Sequence, residues 1–442
     1  MIDMTPLLHR IVPDGRSLMP YQAKGVGWLA LKRNSILADE MGLGKTVQVC
    51  ALINMLGLKP SLIVCPASLK LQWARELSVW CPQLTAEVVN PKVAFPTNAD
   101  VVIINYDILH KFRHELRLRP WPLLVFDEAH YLKNRGTRRT REAFGGGRPG
   151  TSKYVSQIPS GKMLLLTGTP LSNRPRELWA LLHRIDPDEW PRFHPWAMQF
   201  CDAHRDRFGW DYDGASNLPE LRESLVPVML RRTKADVLPD LPEKRHVTLA
   251  IDPSGHESLI RREIELHDLV EGPHSPDFSE MAAVRHELGL AKIPFIVEHL
   301  QSYADAGVPV VCFCHHLEVL HGVRDGFPGA MVIEGASTAI NRQRAVDRFQ
   351  ASECNILLGQ IQAAGVGLNL QRSSNVVFGE MDWVPGVLDQ ASDRCHRIGT
   401  TRGVLVEYLC FDRSFDARMA DKIVTKRRVI DAVLTPSEVI HA

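Results

Sequence analysis

Lys45 and Thr46 close the stretch Asp39-Glu40-Met41-Gly42-Leu43-Gly44-Lys45-Thr46, in which two glycines precede a lysine and a hydroxyl. A short apolar run, Ser35-Ile36-Leu37-Ala38, comes before it, and a helix-like segment from Val47 to Leu56 follows. A strand that turns through glycines into a helix presents backbone N–H groups and the positive helix end to an anion. Lysine at this place reaches the β- and γ-phosphates of a nucleoside triphosphate, and the threonine hydroxyl reaches magnesium. The strict spacing wants glycine at position 39, where aspartate stands. The shorter form, Gly42-x-Gly44-Lys45-Thr46, is intact, and chance also produces so short a pattern.

Three further groups could complete such a site. Asp127-Glu128-Ala129-His130 directly follows an apolar strand, Leu123–Phe126. Asp at a strand's C-terminal end can hold magnesium, and Glu beside it can orient or deprotonate the attacking water; the bland alternative is a charged turn. Thr167-Gly168-Thr169-Pro170 follows a second strand, Met163–Leu166. Its hydroxyls can sense the γ-phosphate side, although by itself it is a plain turn. Gln390-Ala-Ser-Asp-Arg394-Cys-His396-Arg397-Ile-Gly399 carries arginines three apart, which one helical face would present together. They could neutralise charge on a transferring phosphoryl group, or simply decorate a surface helix.

The elements that must position these groups are legible as short apolar strands between helical stretches. One set comprises Ser61–Cys65, Val101–Ile104, Leu123–Phe126 and Met163–Leu166. A second comprises Val310–Cys314, Met331–Ile333, Asn355–Leu358, Val376–Phe378 and Val404–Leu409. Strands of this kind are buried on both faces in parallel sheets. Between the sets, from Glu177 to about Ile251, longer helical patterns with scattered prolines suggest a brace or hinge. Gly145–Ser152 and Gly272–Asp277 read as exposed loops. The expected fold is α/β, two units joined by a hinge.

Composition narrows the setting. The chain has 442 residues, 45% hydrophobic and 23% charged, which suits a globular enzyme of two or three domains. No apolar run approaches a membrane span, and Met1–Arg10 carries no signal-peptide core, so an intracellular protein is expected, cytoplasmic in a prokaryote or virus. Nine cysteines give an odd count that suits a reducing compartment. A net charge of +1 confines any nucleic-acid contact to a local groove. Two basic patches exist, Lys133 with Arg135, Arg138, Arg139 and Arg141, and Lys426-Arg427-Arg428; each alone is read as a solvated surface. Cys312, Cys314, His315 and His316 lie at a strand's end without a second ligand pair at zinc spacing, and Cys201 with His204 is taken as a helical surface pair.

Taken together, the motifs resemble those of Swi/Snf-type ATPases of helicase superfamily two. Asp39–Thr46 resembles that family's signature, and Tyr21-Gln22 its adenine-reading motif. Cys65-Pro66-Ala67-Ser68-Leu69 with Trp73 and Glu76 resembles a motif whose backbone touches a DNA phosphate. Leu230-Arg231-Arg232-Thr233-Lys234, then Leu241-Pro242-Glu243-Lys244, resembles the block leading toward the second lobe. Gly365–Leu370 and Trp383-Val384-Pro385-Gly386 resemble the segments that face nucleotide and DNA. Asn173–Trp179, Trp210–Leu218 and Val377–Glu380 are similar to the annealing-helicase subgroup, the HepA-related fork remodellers. Two positions depart from the family pattern: Thr400 replaces the usual glutamine, and Gly359-Gln360 replaces a serine.

The resemblance implies two tandem RecA-like parallel-sheet lobes with helical insertions and an interlobe ATP cleft. It implies lobe 1 over 19–250 with a brace from about 177, a helical linker over 251–290, lobe 2 over 291–428, and short ends at 1–18 and 429–442. With little chain outside the motifs, a minimal core without accessory domains is expected. Nucleotide would be held by Tyr21, Gln22, Asp39, Gly42, Gly44, Lys45, Thr46, Gly367 and Gln390. Magnesium would sit on Thr46 and Asp127. Catalysis would rest on Lys45, Asp127, Glu128, Arg394 and Arg397. DNA would meet Pro66, Ser68, Lys133, Thr169, Arg342 and Trp383. The implied activity is ATP-dependent movement along double-stranded or forked DNA by a monomer, with remodelling or reannealing as the outcome, no membrane partner, and a protein partner that supplies targeting. A strand-separating helicase of the Asp-Glu-Ala-His type acting on DNA or RNA, and an ATP-gated DNA clamp, stay open as alternatives.

Overall fold

The computed structural model describes residues 12–13, 15–168, 170, 174–207, 209–270, 278–364, 368–382, 385–397, 400 and 402–419. Gly367, Thr169, Trp383, the Gly272–Asp277 loop and the basic run at 426–428 lie outside them. The chain divides into two compact units, with the division between Pro239 and Asp240.

The first unit is built on seven parallel strands: β1 (Asn34–Leu37), β2 (Ser61–Cys65), β3 (Ala86–Val88), β4 (Val101–Asn105), β5 (Trp121–Asp127), β6 (Ser160–Leu166) and, after an antiparallel hairpin β7 (His204–Arg205) and β8 (Trp210–Asp211), β9 (Met229–Leu230). Their order is β3-β4-β2-β5-β6-β1-β9. β2 and β4 are buried at every position, as their Val/Ile-rich sequences require when helices cover both faces. Ile36, Leu62, Val64, Val102, Ile104, Leu124, Phe126 and Leu165 belong to one continuous core. Each such side chain contributes roughly 1.5–3 kcal/mol by leaving water.

The register places the chemistry along one edge. Leu37 pairs with Leu166, Asp127 with Leu166, and Phe126 with Val64, so the C-terminal ends of β1, β2, β5 and β6 finish side by side. In a parallel sheet that edge is where ligands bind.

The brace differs from expectation. In place of long helices, the structure has short ones at Trp179–Ile185, Phe193–Phe200, Leu218–Leu225 and Lys234–Val237. Pro187 and Pro191 fall between the first two and Pro219 at the start of the third, which keeps each piece to about two turns. Cys201 is fully buried and His204 lies on β7, so the two are not a helical surface pair.

The second unit carries β10 (Lys244–Ile251), β11 (Val310–Cys314), β12 (Met331–Ile333), β13 (Ile356–Gln360), β14 (Asn375–Phe378) and β15 (Val404–Phe411). They pair in the order β10-β15-β14-β11-β13-β12, all parallel. β10, placed in lobe 1 by the sequence, belongs here because it pairs from Lys244–Val404 to Ile251–Phe411. The stretch read as a linker also belongs here. Helices Glu257–Val270 and Phe278–Asp305 bring Ile260, Leu266, Met281, Val284 and Leu288 into the core under Val310, Cys312 and Val377. The opposite face packs Val311, Phe313, Phe378 and Val376.

Candidate functional site: a phosphate loop and a carboxylate pair on neighbouring strands

The phosphate loop leaves β1 and enters helix Lys45–Leu56. Gly44 precedes that helix in the left-handed region, φ 73°, which a side chain rarely adopts. A Cβ there would also lie 2.4 Å from Gln22 Nε2. Gln22 in turn donates to the Leu43 carbonyl at 3.2 Å, and the Tyr21 hydroxyl donates to the same oxygen at 3.0 Å. Tyr21 and Gln22, both buried on helix Pro20–Leu31, therefore meet the loop directly. Burial, with Asp39 nearby, pushes the Tyr21 phenol up to about 12, so it stays a neutral donor. The Lys45 ammonium donates to the carbonyls of Asp39 at 2.7 Å and Glu40 at 3.4 Å.

Asp39 plays a different part from the phosphate contact its position suggests. Its side chain is fully buried and accepts from Gln48 Nε2 at 2.9 Å and from Arg232 Nε at 2.9 Å. Arg232 also reaches Gln48 Oε1 at 2.9 Å and the Tyr21 carbonyl, and its guanidinium lies 5.1 Å from the Tyr21 ring centroid. Arg231 donates to the Ala38 carbonyl at 3.1 Å, and the Lys234 backbone N–H donates to Glu40 Oε2 at 2.7 Å. The Arg-Arg-Thr-Lys segment thus runs beside the loop because β9 pairs with β1, Leu230 opposite Leu37. The motif was visible in the sequence; its target was not.

Asp127 ends β5, and its carboxylate is anchored at both oxygens. The Trp73 indole donates to Oδ2 at 2.8 Å and the Glu128 N–H to Oδ1 at 2.9 Å. The Tyr106 hydroxyl holds its carbonyl at 2.7 Å. Burial, with the Glu128 carboxylate beside it, pushes Asp127 up to about 6, against the pull of Trp73, Lys45 and the Glu128 amide. Glu128 occupies the left-handed region at φ 52°, a costly backbone state for a glutamate and one found at functional sites. His130 Nδ1 lies 3.3 Å from Glu128 Oε2 and 3.4 Å from Thr167 Oγ1, so one ring touches the residues that directly follow β5 and β6. Trp73, Tyr106, His130 and Thr167 are absent from the site residues expected from sequence; Trp73, His130 and Thr167 stand in motifs recognised for other reasons, and Tyr106 stands in none.

Of the residues expected to face DNA, Pro66 follows the end of β2 and Ser68 lies in the turn that starts with Ala67. Lys133 pairs with Glu177 at 2.8 Å. Beside it a cavity of about 520 Å³ is lined by Tyr106, His130, Tyr131, Arg138 and Arg139. Arg342 is half-buried on helix Ala339–Gln350 and donates to the carbonyls of Glu334 and Gly335, at 3.3 and 3.1 Å.

In the second unit Gln390 is buried on helix Pro385–Ser392. Arg394 and Arg397 do not share a helical face: the helix stops at Ser392, and i+3 bonds from Arg394 to Ala391 and from Cys395 to Ser392 tighten the chain into turns. Thr400, the departure from the family pattern, holds that turn. Its hydroxyl accepts from the Arg397 N–H at 3.1 Å and donates to the Cys395 carbonyl at 3.2 Å. Arg394 is buried and Arg397 partly exposed. Gln360 donates to the His315 carbonyl at 3.3 Å and accepts from the Gly335 N–H at 3.0 Å. Glu380 accepts from the amides of His315 and His316, at 2.8 and 2.9 Å, joining the ends of β11 and β14. Cys312 and Cys314 are fully buried in β11.

Comparison with known proteins fits this geometry. Residues 21–275 match the SNF2-related domain, and residues 292–399 match the helicase conserved C-terminal domain. The chain is 32% identical over 434 residues to the SWI/SNF-related matrix-associated actin-dependent regulator of chromatin subfamily A-like protein 1 of Xenopus tropicalis, covering 94% of this chain and 45% of that protein. It is 31% identical over 447 residues to the DNA annealing helicase and endonuclease ZRANB3 of Homo sapiens, covering 94% of this chain and 40% of that protein. The chain therefore spans less than half the length of these two relatives. Among solved structures it is similar to the Sulfolobus solfataricus SWI2/SNF2 ATPase core in complex with dsDNA, with 23% identity, 96% of this chain and 98% of that one covered, and a TM-score of 0.45. The SNF2-related match takes in more than half of the sequence, and the phosphate loop and the Asp127-Glu128 pair both lie within it, so the chain belongs to the SNF2-related family of helicase-type ATPases.

Proposed function

We propose that the chain is an ATP-driven translocase on double-stranded DNA that remodels or reanneals DNA structures. The observation that carries this reading is Lys45 held against the loop carbonyls while Asp127 ends β5, with Glu128 next to it, at the same sheet edge. Tyr21 and Gln22 are then the adenine contacts, Gly42 and Gly44 the phosphate cradle, and Asp39 acts through its carbonyl on Lys45. Relatives named as annealing helicases support DNA as the polymer.

The residues fit magnesium. Asp127 is a buried carboxylate whose two anchored oxygens keep further lone pairs, and it and the Thr46 hydroxyl would offer hard oxygen donors. A divalent cation would also draw the raised Asp127 back to its ionised form. A bound magnesium ion would supply positive charge that offsets the phosphates as the γ-phosphoryl group is transferred. Glu128 orients the attacking water and takes its proton, with His130 fixing the carboxylate. Arg394 and Arg397 are proposed to offset charge on the γ-phosphate, and Gln390 and Gly367 to line the nucleotide. Pro66, Ser68, Lys133, Thr169, Arg342 and Trp383 are proposed to track the duplex.

ATPase rate measured against blunt duplex, forked DNA, single strands and RNA tests the reading. Duplex or forked DNA should raise the rate several-fold. Glu128→Gln should still bind ATP and hydrolyse it at least about a hundredfold more slowly. A rate indifferent to every nucleic acid refutes the motor.

A further inference from the structure

The β7–β8 hairpin carries an aromatic surface that the ATP site does not use. Trp210 is 44% exposed, although tryptophan usually covers core surface. Its ring lies nearly parallel to that of Tyr212, 6.3 Å between centroids and 14° between planes. His194 packs edge-on to Trp210 at 4.7 Å, and its Nδ1 lies 3.0 Å from the Tyr212 hydroxyl, which fixes both rings. Behind them the stack continues through Phe193, 5.0 Å from Tyr212, to the buried Trp179, 5.5 Å further on. Arg135, in the loop after His130, lies 4.5 Å above Trp179. The exposed ring is therefore rigidly supported from the core.

The charge around it is mixed: Asp202, Asp206 and Asp211 lie on or beside the hairpin together with its arginines. Antiparallel register sets Arg205 opposite Trp210, so the two side chains stand together on one face of the hairpin. Asp213 is taken up by Arg174 and Arg176. Arg192, Arg205 and Arg207 are exposed and make no ion pair among the described residues. A rigid exposed aromatic with guanidinium groups beside it is the arrangement that stacks an unpaired base and holds its phosphate.

We propose that Trp210, backed by His194 and Tyr212 and flanked by Arg205, is a stacking site for an unpaired nucleobase at a DNA fork or flap. The proposal rests on the DNA-translocase reading and adds the feature of the substrate that this face selects. Duplex DNA keeps its bases stacked inside and offers the platform nothing to grip, so the site discriminates branched from blunt DNA.

Equilibrium binding of the full chain to blunt duplex and to a duplex with a single-stranded fork, followed by fluorescence anisotropy, tests it. Trp210→Ala should weaken binding to forked DNA about tenfold and to blunt duplex less than twofold, and Trp210→Phe should retain most of the affinity. The tenfold ratio should persist as salt rises, because stacking sets it, whereas Arg205→Ala should lose its effect at high salt. Equal affinities of wild type and Trp210→Ala for forked DNA overturn the platform, and if DNA still stimulates ATPase, the translocase reading stands. Equal losses on forked and blunt DNA also overturn it, as does a peptide that occupies this face while forked DNA does not. A wild-type chain whose ATPase and binding ignore DNA overturns both.

Discussion

The guanidinium of Arg232 forks onto the carboxylate of Asp39, with Nε on Oδ1 at 2.9 Å and Nη2 on Oδ2. This ion pair closes the back of the phosphate loop from a residue 193 positions later in the chain, just past β9. It turns Asp39, the residue that spoils the strict phosphate-loop spacing, into a reason the loop holds its shape.

Arg232→Ala leaves a fully buried carboxylate without its cation. The first unit should lose about 3 kcal/mol or more. Urea unfolding followed by a signal from that unit, such as tryptophan fluorescence, checks this. The paired change Asp39→Asn with Arg232→Gln should recover part of the loss.

Asp127 gives a pH signature. Its folded carboxyl sits near 6, whereas an ordinary aspartate titrates at 3.8, so the native state binds more protons between those values. Its contribution to stability is greatest below 3.8 and is lost as pH rises to 6. Asp127→Asn should therefore gain stability relative to wild type as pH rises from 4 to 7, by on the order of 2 kcal/mol. Magnesium-dependent nucleotide binding should show the opposite trend, weakening as pH falls below 6. Calorimetric unfolding and a fluorescent nucleotide titration, each run from pH 4 to 8, measure the two trends.

Trp73→Phe removes the indole donor that draws Asp127 down. The pH midpoint for magnesium-dependent nucleotide binding should then move upward. A midpoint that stays in place assigns Trp73 to packing alone.

Gly44→Ala must adopt a left-handed backbone and push Gln22 away from the loop. Nucleotide affinity should fall at least about tenfold, with a stability loss of about 1–2 kcal/mol. Isothermal titration with ADP and magnesium measures the first and thermal unfolding the second.

Legibility in the sequence followed burial and distance along the chain. β2, β4, β5 and β11 are apolar runs buried at nearly every position, so their composition announces them. β9 is only two residues long, and β10 is mostly exposed outside its pairing with β15, so neither forms an apolar run. The sheet-edge positions of Lys45, Asp127 and Glu128 were legible because each lies at the end of an apolar strand or in or just after the turn that leaves it. Arg232 was not, since nothing near it indicates a partner at Asp39. The turn at Arg394 and Arg397 was misread as helix because the Thr400 hydroxyl that shapes it lies beyond the repeating pattern.

Displacement of a third strand from a DNA triplex tests the central claim most directly. A translocase moving along the duplex should strip the triplex-forming strand with ATP and magnesium. It should fail to do so with a non-hydrolysable analogue or with Glu128→Gln. A chain that hydrolyses ATP faster on duplex DNA yet never displaces the third strand contradicts translocation and leaves a nucleotide-gated clamp.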